Sequence, residues 1–250
     1  MIILLATSNQ HKVNEIENMI NEIAKEINFV DSINVQPFFD HIPDGIESFN
    51  TYHENALAKA KYVFNRFLSD RPEIFNYDNV IVLAEDSGLE VDFLHGFPGV
   101  KSKRFLNLQE EDIDKIEKYL NNAILEKLNH IDWFARTAKM KSTFVALYTN
   151  GEYDIAKGTI QGYITREPRG IYGWAYDKIF EVDIHDPLIS KLMNTDEYYR
   201  DVFMNHPTLA EIPPEIKNKI SHRYRSLFNT MTLLKKKILM EGRKNDAEKI

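Results

Sequence analysis

The sequence predicts a mixed α/β fold. Short apolar runs alternate with segments whose apolar residues recur three and four apart, the pattern of strands alternating with amphipathic helices. In the second half an Asn-Gly pair separates two strand-like segments, a strong local signal for a hairpin. The chain has 250 residues, 43% of them hydrophobic, enough to bury one large core or two small ones. No repeat and no low-complexity linker divides it. One domain, or two lobes around a cleft, both fit the pattern.

The first element expected is a central strand, from the apolar run Ile2 to Ala6. A polar loop from Thr7 to His11 follows. Val13, Ile16, Ile20, Ile23, Ala24 and Ile27 then recur at helical spacing and predict a helix over roughly 11–27. Strand, polar loop and helix in that order is how α/β proteins build phosphate sites. The first turn of a helix carries unpaired N–H groups and a positive dipole end. Phe29 to Gln36 predicts a second strand, and 40–50, with Pro43 and Gly45, a loop.

A second helix is expected from Tyr52 to Leu68, with Ala56, Leu57, Ala60, Val63, Phe64 and Phe67 on its apolar side. Thr51 and Glu54 have the spacing of a capping box. Val80 to Ala84 reads as a buried strand that ends abruptly in Glu85-Asp86-Ser87-Gly88, an acidic turn. Phe97-Pro98-Gly99 marks a tight loop, and Ile113, Ile116, Leu120, Ala123, Ile124 and Leu128 define a third helix. Met140 to Tyr148 and Tyr153 to Ile164 flank Asn150-Gly151 as the arms of the hairpin. A loop over 165–173 carries Pro168 and two glycines. The segment 184–207 is polar and aromatic and reads as an irregular surface insertion. The last helix is expected from near Ser221, and 241–250 as a charged tail.

Composition excludes several classes. The net charge of −7 argues against a broad nucleic-acid face, which must be basic. It leaves room for a local basic pocket that takes a small polyanion. There is no cysteine, so disulfides, thiolate metal sites and cysteine nucleophiles are absent. The apolar N-terminal run is too short to span a membrane and lacks the charged region of a signal peptide, so a cytosolic protein is expected. The G-x-S-x-G elbow, the H-E-x-x-H zinc helix and the G-x-G-x-x-G dinucleotide turn are all missing.

Five local groups carry polar chemistry. Thr7-Ser8-Asn9 with Lys12, at a helix start, suits an oxyanion, though on the segment alone ordinary capping by Ser8 or Asn9, with Lys12 solvated, is the commoner arrangement. Glu54 with Lys59 offers a carboxylate and a cation, and Glu54 is also explained as the cap partner of Thr51. Glu85 and Asp86 are hard oxygen donors of the kind Mg²⁺ prefers, or else an acidic turn capped by Asp86. Lys217 with Ser221-His222-Arg223 gathers cations near a helix start, suited to phosphate or to a carbonyl-bearing base. Trp174, Tyr176 and Asp177 lie beside glycine, where an aromatic ring can stack a base or simply fill a core.

In this order the segments resemble the inosine triphosphate pyrophosphatase family. Ala6-Thr7-Ser8-Asn9-Gln10-His11-Lys12 is similar to that family's A-T-x-N-x-x-K opening. Glu54-Asn55-Ala56 with Lys59-Ala60 is similar to its E-N-A-x-x-K-A helix, and Glu85-Asp86-Ser87-Gly88-Leu89-Glu90-Val91-Asp92 to its D-D-S-G-L-x-V-D signature. Pro98-Gly99, Ser102 and Arg104 fall on P-G-x-x-S-x-R, Gly173-Trp174-Ala175-Tyr176-Asp177 on G-[FW]-G-[YW]-D, and Ser221-His222-Arg223 on S-H-R.

The resemblance implies one two-lobed domain over 1–240, with an elongated mixed sheet flanked by helices and the active site in the cleft between lobes. It implies Mg²⁺-dependent hydrolysis of inosine or xanthosine triphosphate, or their deoxy forms, to the monophosphate and pyrophosphate, with a homodimer as the usual assembly. Thr7, Ser8, Asn9 and Lys12 would hold phosphates. Glu54 and Asp86, with Glu85 beside them, would face the metal. Asp86 would orient the attacking water, Lys59 would neutralise charge at the transferred phosphoryl group, and Ser87 would touch substrate. Trp174 and Tyr176 would form the base loop, with Asp177 supporting it. Lys217 would meet phosphate, and His222 with Arg223 would read the 6-oxo edge. This chain departs from the pattern at Glu85, Ser8, Ala175, Lys178, Lys101 and Lys103, and in the 184–207 segment. The same chemistry on another base, or nucleotide binding without turnover, therefore stays open.

Overall fold

The computed structural model describes residues 1–7, 9–29, 32–38, 41–70, 80–106 and 112–247. Ser8 and the last three tail residues lie outside them, as do residues 30 and 31 of the expected second strand. Six strands form one sheet in the order β2-β1-β3-β4-β5-β6. They are β1 (Ile2–Leu5), β2 (Asn34–Pro37), β3 (Val80–Val91), β4 (Thr137–Tyr148), β5 (Tyr153–Ile164) and β6 (Phe180–Val182). The helices are α1 (Gln10–Glu26), α2 (Tyr52–Asp70), α3 (Ile113–Lys127), α4 (Pro187–Thr195), α5 (Glu197–Met204), α6 (Pro214–Ile220) and α7 (His222–Ala247). The mixed α/β expectation holds. β1 runs parallel to both β2 and β3, whereas β5 and β6 are antiparallel. Among the described residues no helix is long and apolar enough to cross a membrane.

The chain folds into two compact units. Unit 1 holds residues 1–86, 142–158 and 224–250, and unit 2 holds 87–141 and 159–223. In unit 1 both faces of β1 and of the first half of β3 are covered. Ile3, Leu5, Ile81 and Leu83 meet Val13, Ile16, Ile20 and Ile23 of α1 and Leu227, Met231 and Leu234 of α7. Leu4, Ala6, Val82 and Ala84 meet Ala56, Ala60 and Val63 of α2. Strands buried on two faces read as unbroken apolar runs, which is why both were visible in the sequence.

Unit 2 has its own core, built from Leu89 and Val91, from Leu120 and Ile124 of α3, and from Ile160, Ile164, Phe180 and Val182. The hairpin turn falls where Asn150-Gly151 predicts it. Gly151 has a φ of +84°, and its N–H donates to the Tyr148 carbonyl at 3.0 Å.

Three expectations are corrected. The acidic segment is no turn: β3 runs unbroken from Val80 to Val91 and carries Glu85, Asp86, Ser87 and Gly88 inside it. A ladder pairs backbone groups whatever the side chains are, and Leu89 and Val91 resume the apolar pattern at 0% exposure. The second strand spans only Asn34–Pro37. The 184–207 segment is not irregular surface either. It folds as α4 and α5, whose Ile189 and Phe203 lie fully buried in the core of unit 2. Asp186 and Asp196 cap the two helices, accepting from the N–H groups of Leu188 and Tyr198. At the far end of the chain, helical backbone continues past 241 to Ala247.

Candidate active site

Unit 1 concentrates buried charge on β3. Glu85 and Asp86 are 6% and 7% exposed, and isolated carboxylates at such depth would be costly. Each is therefore partnered. Lys12, on the first turn of α1, donates from Nζ to Glu85 Oε2 at 2.9 Å, and Ser142 of β4 donates to Glu85 Oε1 at 3.0 Å. Ser226 of α7 in turn donates to the Ser142 hydroxyl at 2.8 Å. Both Glu85 oxygens are thus engaged, and Lys12 is a buried, oriented cation rather than a solvated one.

Asp86 is held from α2. Asn55 Nδ2 donates to Asp86 Oδ2 at 3.0 Å, and Lys59 Nζ lies 3.8 Å from Asp86 Oδ1. The Asn55 amide is fixed at its other end, where its oxygen accepts the Phe49 N–H at 2.9 Å. Lys59 also meets the Glu47 carboxylate and the Glu85 carbonyl. Burial raises the Asp86 carboxyl above the ordinary carboxylate range, and Glu47 adds to that; Lys59, Asn55 and Lys12 oppose it.

The N-terminus of α1 is built as expected. Asn9 is its cap, accepting from the Lys12 N–H at 3.2 Å, and the Thr7 hydroxyl accepts from the Asn9 N–H at 3.2 Å. Glu54 is half-buried at the start of α2. Its carboxylate accepts from the Thr51 hydroxyl at 2.5 Å, while its own N–H reaches Thr51 Oγ1 at 3.3 Å. It is the helical neighbour of Asn55, so α2 brings it to the end of the helix that touches Asp86. Ser87, half-buried, follows Asp86 along β3. Among the described residues no group of three or more His, Asp or Glu side chains is assembled for a metal. Mg²⁺ does not need such a cage, because substrate phosphates and water commonly complete its shell around one or two carboxylates.

Unit 2 carries the second cluster. Trp174 opens a 3-10 turn over Ala175–Lys178. Asp177 closes that turn by accepting the Trp174 N–H at 3.1 Å, and the same oxygen takes Lys217 Nζ of α6 at 2.6 Å. Gly173, at a φ of +70°, packs so tightly on Asp177 that a Cβ there would collide with the carboxylate. The Arg223 guanidinium lies 5.9 Å from the Trp174 ring centroid, within cation–π range. Ser221, His222 and Arg223 are all buried at the junction of α6 and α7. Tyr176 is a core side chain whose hydroxyl donates to the Ser102 carbonyl; its burial raises the phenol above its ordinary range. The structure thus ties Lys217 to the aromatic loop through Asp177.

Sequence reasoning grouped Asn55 with Glu54 and Lys59 but gave it no role, and it passed over Glu47 and Ser142. The signal for Asn55 was a polar amide directly before Ala56 and Leu57 of the apolar side, and the structure buries it fully. Glu47 and Ser142 carried none, since each meets the cluster from a separate part of the chain.

A partly parallel sheet, a buried carboxylate–lysine cluster at a helix N-terminus, and an aromatic–cation loop define an α/β protein whose buried polar groups have the chemistry to take an anion and a flat ring. The chain belongs to the Ham1 family, whose model matches residues 3–232. It is 34% identical to a dITP/XTP pyrophosphatase of Halalkalibacterium halodurans over 226 residues, covering 90% of this chain and 94% of that protein. It is 32% identical to the dITP/XTP pyrophosphatase of Bacillus subtilis, covering 92% and 96%. Among solved structures, a HAM1 protein from Coxiella burnetii aligns with a TM-score of 0.67 at 26% identity, covering 94% of this chain and 99% of that one.

Proposed function

We propose that this protein hydrolyses non-standard purine nucleoside triphosphates, those of inosine and xanthine and their deoxy forms, to the monophosphate and pyrophosphate. The observation that carries the reading is Asp86. It is a buried carboxylate oriented by Asn55 and flanked by Lys59, in a chain whose relatives are dITP/XTP pyrophosphatases. A raised pKa suits it to general-base work, because a base operates best when its pKa approaches the working pH.

In this reading Asp86 takes a proton from the attacking water. Lys59 offsets negative charge gathering at the phosphoryl group. Lys12, Asn9 and Thr7, at the positive end of α1, grip the triphosphate. Glu85 keeps Lys12 in position, and its two engaged oxygens favour that role over metal binding. Asp86 and Glu54 are the donors we assign to Mg²⁺. Hard oxygens at the start of α2 and on β3 fit that ion, which would neutralise the phosphate oxygens when bound. The purine stacks on Trp174, with His222 and Arg223 at its 6-oxo edge and Ser87 along the substrate. Lys217 and Asp177 hold the loop in shape. By the same family reading we assign the protein to the cytoplasm as a homodimer.

The test is pyrophosphate release from a panel of triphosphates in Mg²⁺. Release from inosine and xanthosine triphosphates well above that from the standard four supports the proposal. Release only from another base would keep the chemistry and move the substrate. No release from any, with binding retained, would make the protein a nucleotide binder.

A further inference from the structure

The base loop is fastened from a third direction that the proposed chemistry does not use. Ala175, between Trp174 and Tyr176, has a φ of +53°, the left-handed region that a side chain disfavours. Something must hold it there. Two side chains of α3, one turn apart on the same helix face, act on it. Asn121 Nδ2 donates to the Ala175 carbonyl at 3.0 Å, and the Ala175 backbone N–H favours the charged form of the Glu117 carboxyl, which burial otherwise disfavours. One helix thus holds the Ala175 carbonyl by a hydrogen bond and sets a carboxyl toward its N–H.

The grip carries a cost. Asn121 is 2% exposed, and its Oδ1 has no hydrogen-bond partner among the described residues. A buried acceptor left without a partner is destabilising, so a leucine of similar volume would serve the core better. Glu117 is likewise a carboxylate at 8% exposure, on the helix that sends Leu120 and Ile124 into the core, and burial outweighs Lys178 in raising its pKa. Stability alone does not explain two polar side chains here. What they specify is the backbone on either side of the Trp174 ring.

We infer that Glu117 and Asn121 form a clamp on Ala175 that sets the orientation of the Trp174 indole, and so act as positioning residues for purine selection. The inference rests on the assignment of Trp174 to the base. The neighbouring fastenings fit it: the Trp174 N–H is held by Asp177, and the Tyr176 hydroxyl by the Ser102 carbonyl. With the clamp, three consecutive residues of the loop are each pinned by a different partner. Preorganised binding surfaces gain affinity by avoiding the ordering cost at the moment of binding.

The experiment uses Asn121→Leu, Glu117→Leu and Glu117→Gln. The glutamine keeps an acceptor for the Ala175 N–H, and the leucines do not. Each is made in a Trp133→Phe background, which leaves Trp174 as the one tryptophan of the chain's two. The first readout is Trp174 fluorescence: anisotropy and quenching by acrylamide, in the absence of nucleotide. The second is steady-state kinetics with inosine and adenosine triphosphates. The leucine variants are expected to melt at or above the temperature of the parent, while Trp174 becomes more mobile. KM for the inosine substrate rises about tenfold with kcat within about threefold, the signature of lost binding order. Glu117→Gln is expected to stay near the parent in both readouts.

Unchanged anisotropy and quenching in well-folded leucine variants would overturn the clamp, whatever the kinetics. A more mobile Trp174 with an unaltered KM and unaltered preference for inosine over adenosine would overturn its role in selection. If the parent protein turns over no triphosphate, the proposed activity fails, and nucleotide monophosphate quenching of Trp174 then decides the clamp's effect on binding.

Discussion

Asn55 donates from its side-chain amide to the Asp86 carboxylate at 3.0 Å, across 31 residues of sequence. The same amide accepts the Phe49 N–H, so the group that orients Asp86 is itself immobilised. A helix and a strand are locked together at the residue to which we assign the base. That arrangement fixes direction, and direction is most of what a hydrolytic water needs.

Asp86→Asn should lower turnover by at least about 10²-fold while nucleotide binding persists, as expected when a positioned base is lost. Single-turnover kinetics beside calorimetric titration separate the two effects. Turnover near that of the parent would refute the assignment.

The same variant should be more stable at neutral pH. The folded carboxyl has a pKa above its ordinary 3.8, chiefly from burial, so the native state binds the proton more tightly than the unfolded chain. Stability from this group is full at low pH and falls as pH rises from 3.8 through the raised value. Above that it stays as a constant penalty, which asparagine removes. Thermal melts of both proteins between pH 4 and 8 should diverge as pH increases, and parallel curves would contradict the sign.

The acid limb of the pH–rate profile should move in opposite directions for two neighbours. Lys59 lowers the Asp86 pKa and Glu47 raises it. Lys59→Met therefore shifts the limb to higher pH, on top of a lower rate, and Glu47→Gln shifts it to lower pH. Shifts of the same sign would mean that another group sets the limb.

Gly173→Ala places a methyl group against the Asp177 carboxylate at a φ of +70°. The 3-10 turn must shift, the Lys217–Asp177 pair must loosen, and Trp174 moves with them. KM for inosine triphosphate should rise about tenfold or more, with a smaller change in kcat. A KM equal to that of the parent would detach this turn from substrate binding.

Phe203→Ala tests the 184–207 segment as core. Removal of a fully buried phenylalanine typically costs about 3–5 kcal/mol. Denaturant unfolding should show a loss of that size, whereas a surface insertion would lose almost nothing.

Much of the architecture could be read along the chain. β1, α2 and β5 follow directly from apolar runs and helical spacing, and Asn150-Gly151 marks its hairpin to the residue. The α4–α5 segment escaped because helices of 9 and 8 residues show too few turns for periodicity to register. Its capping aspartates and Pro187 were present but isolated signals. β3 was cut short because hydropathy falls at Glu85, although a strand is defined by its backbone ladder. Of the polar groups, Asn9 and Thr51 cap their helices where spacing predicts, since a cap is a contact across three residues.

Sequence alone, then, determined the fold class, the starts of α1, α2, α3 and α7 and the kinds of side chain available for chemistry, because each depends on neighbours a few positions apart. Tertiary structure decided what those side chains do. Glu85 became the anchor of Lys12, 73 residues away, and took a hydroxyl from Ser142, 57 residues on. Lys217 met Asp177 across 40 residues. Burial then made each pairing obligatory, because a charge removed from water must find its partner inside the fold.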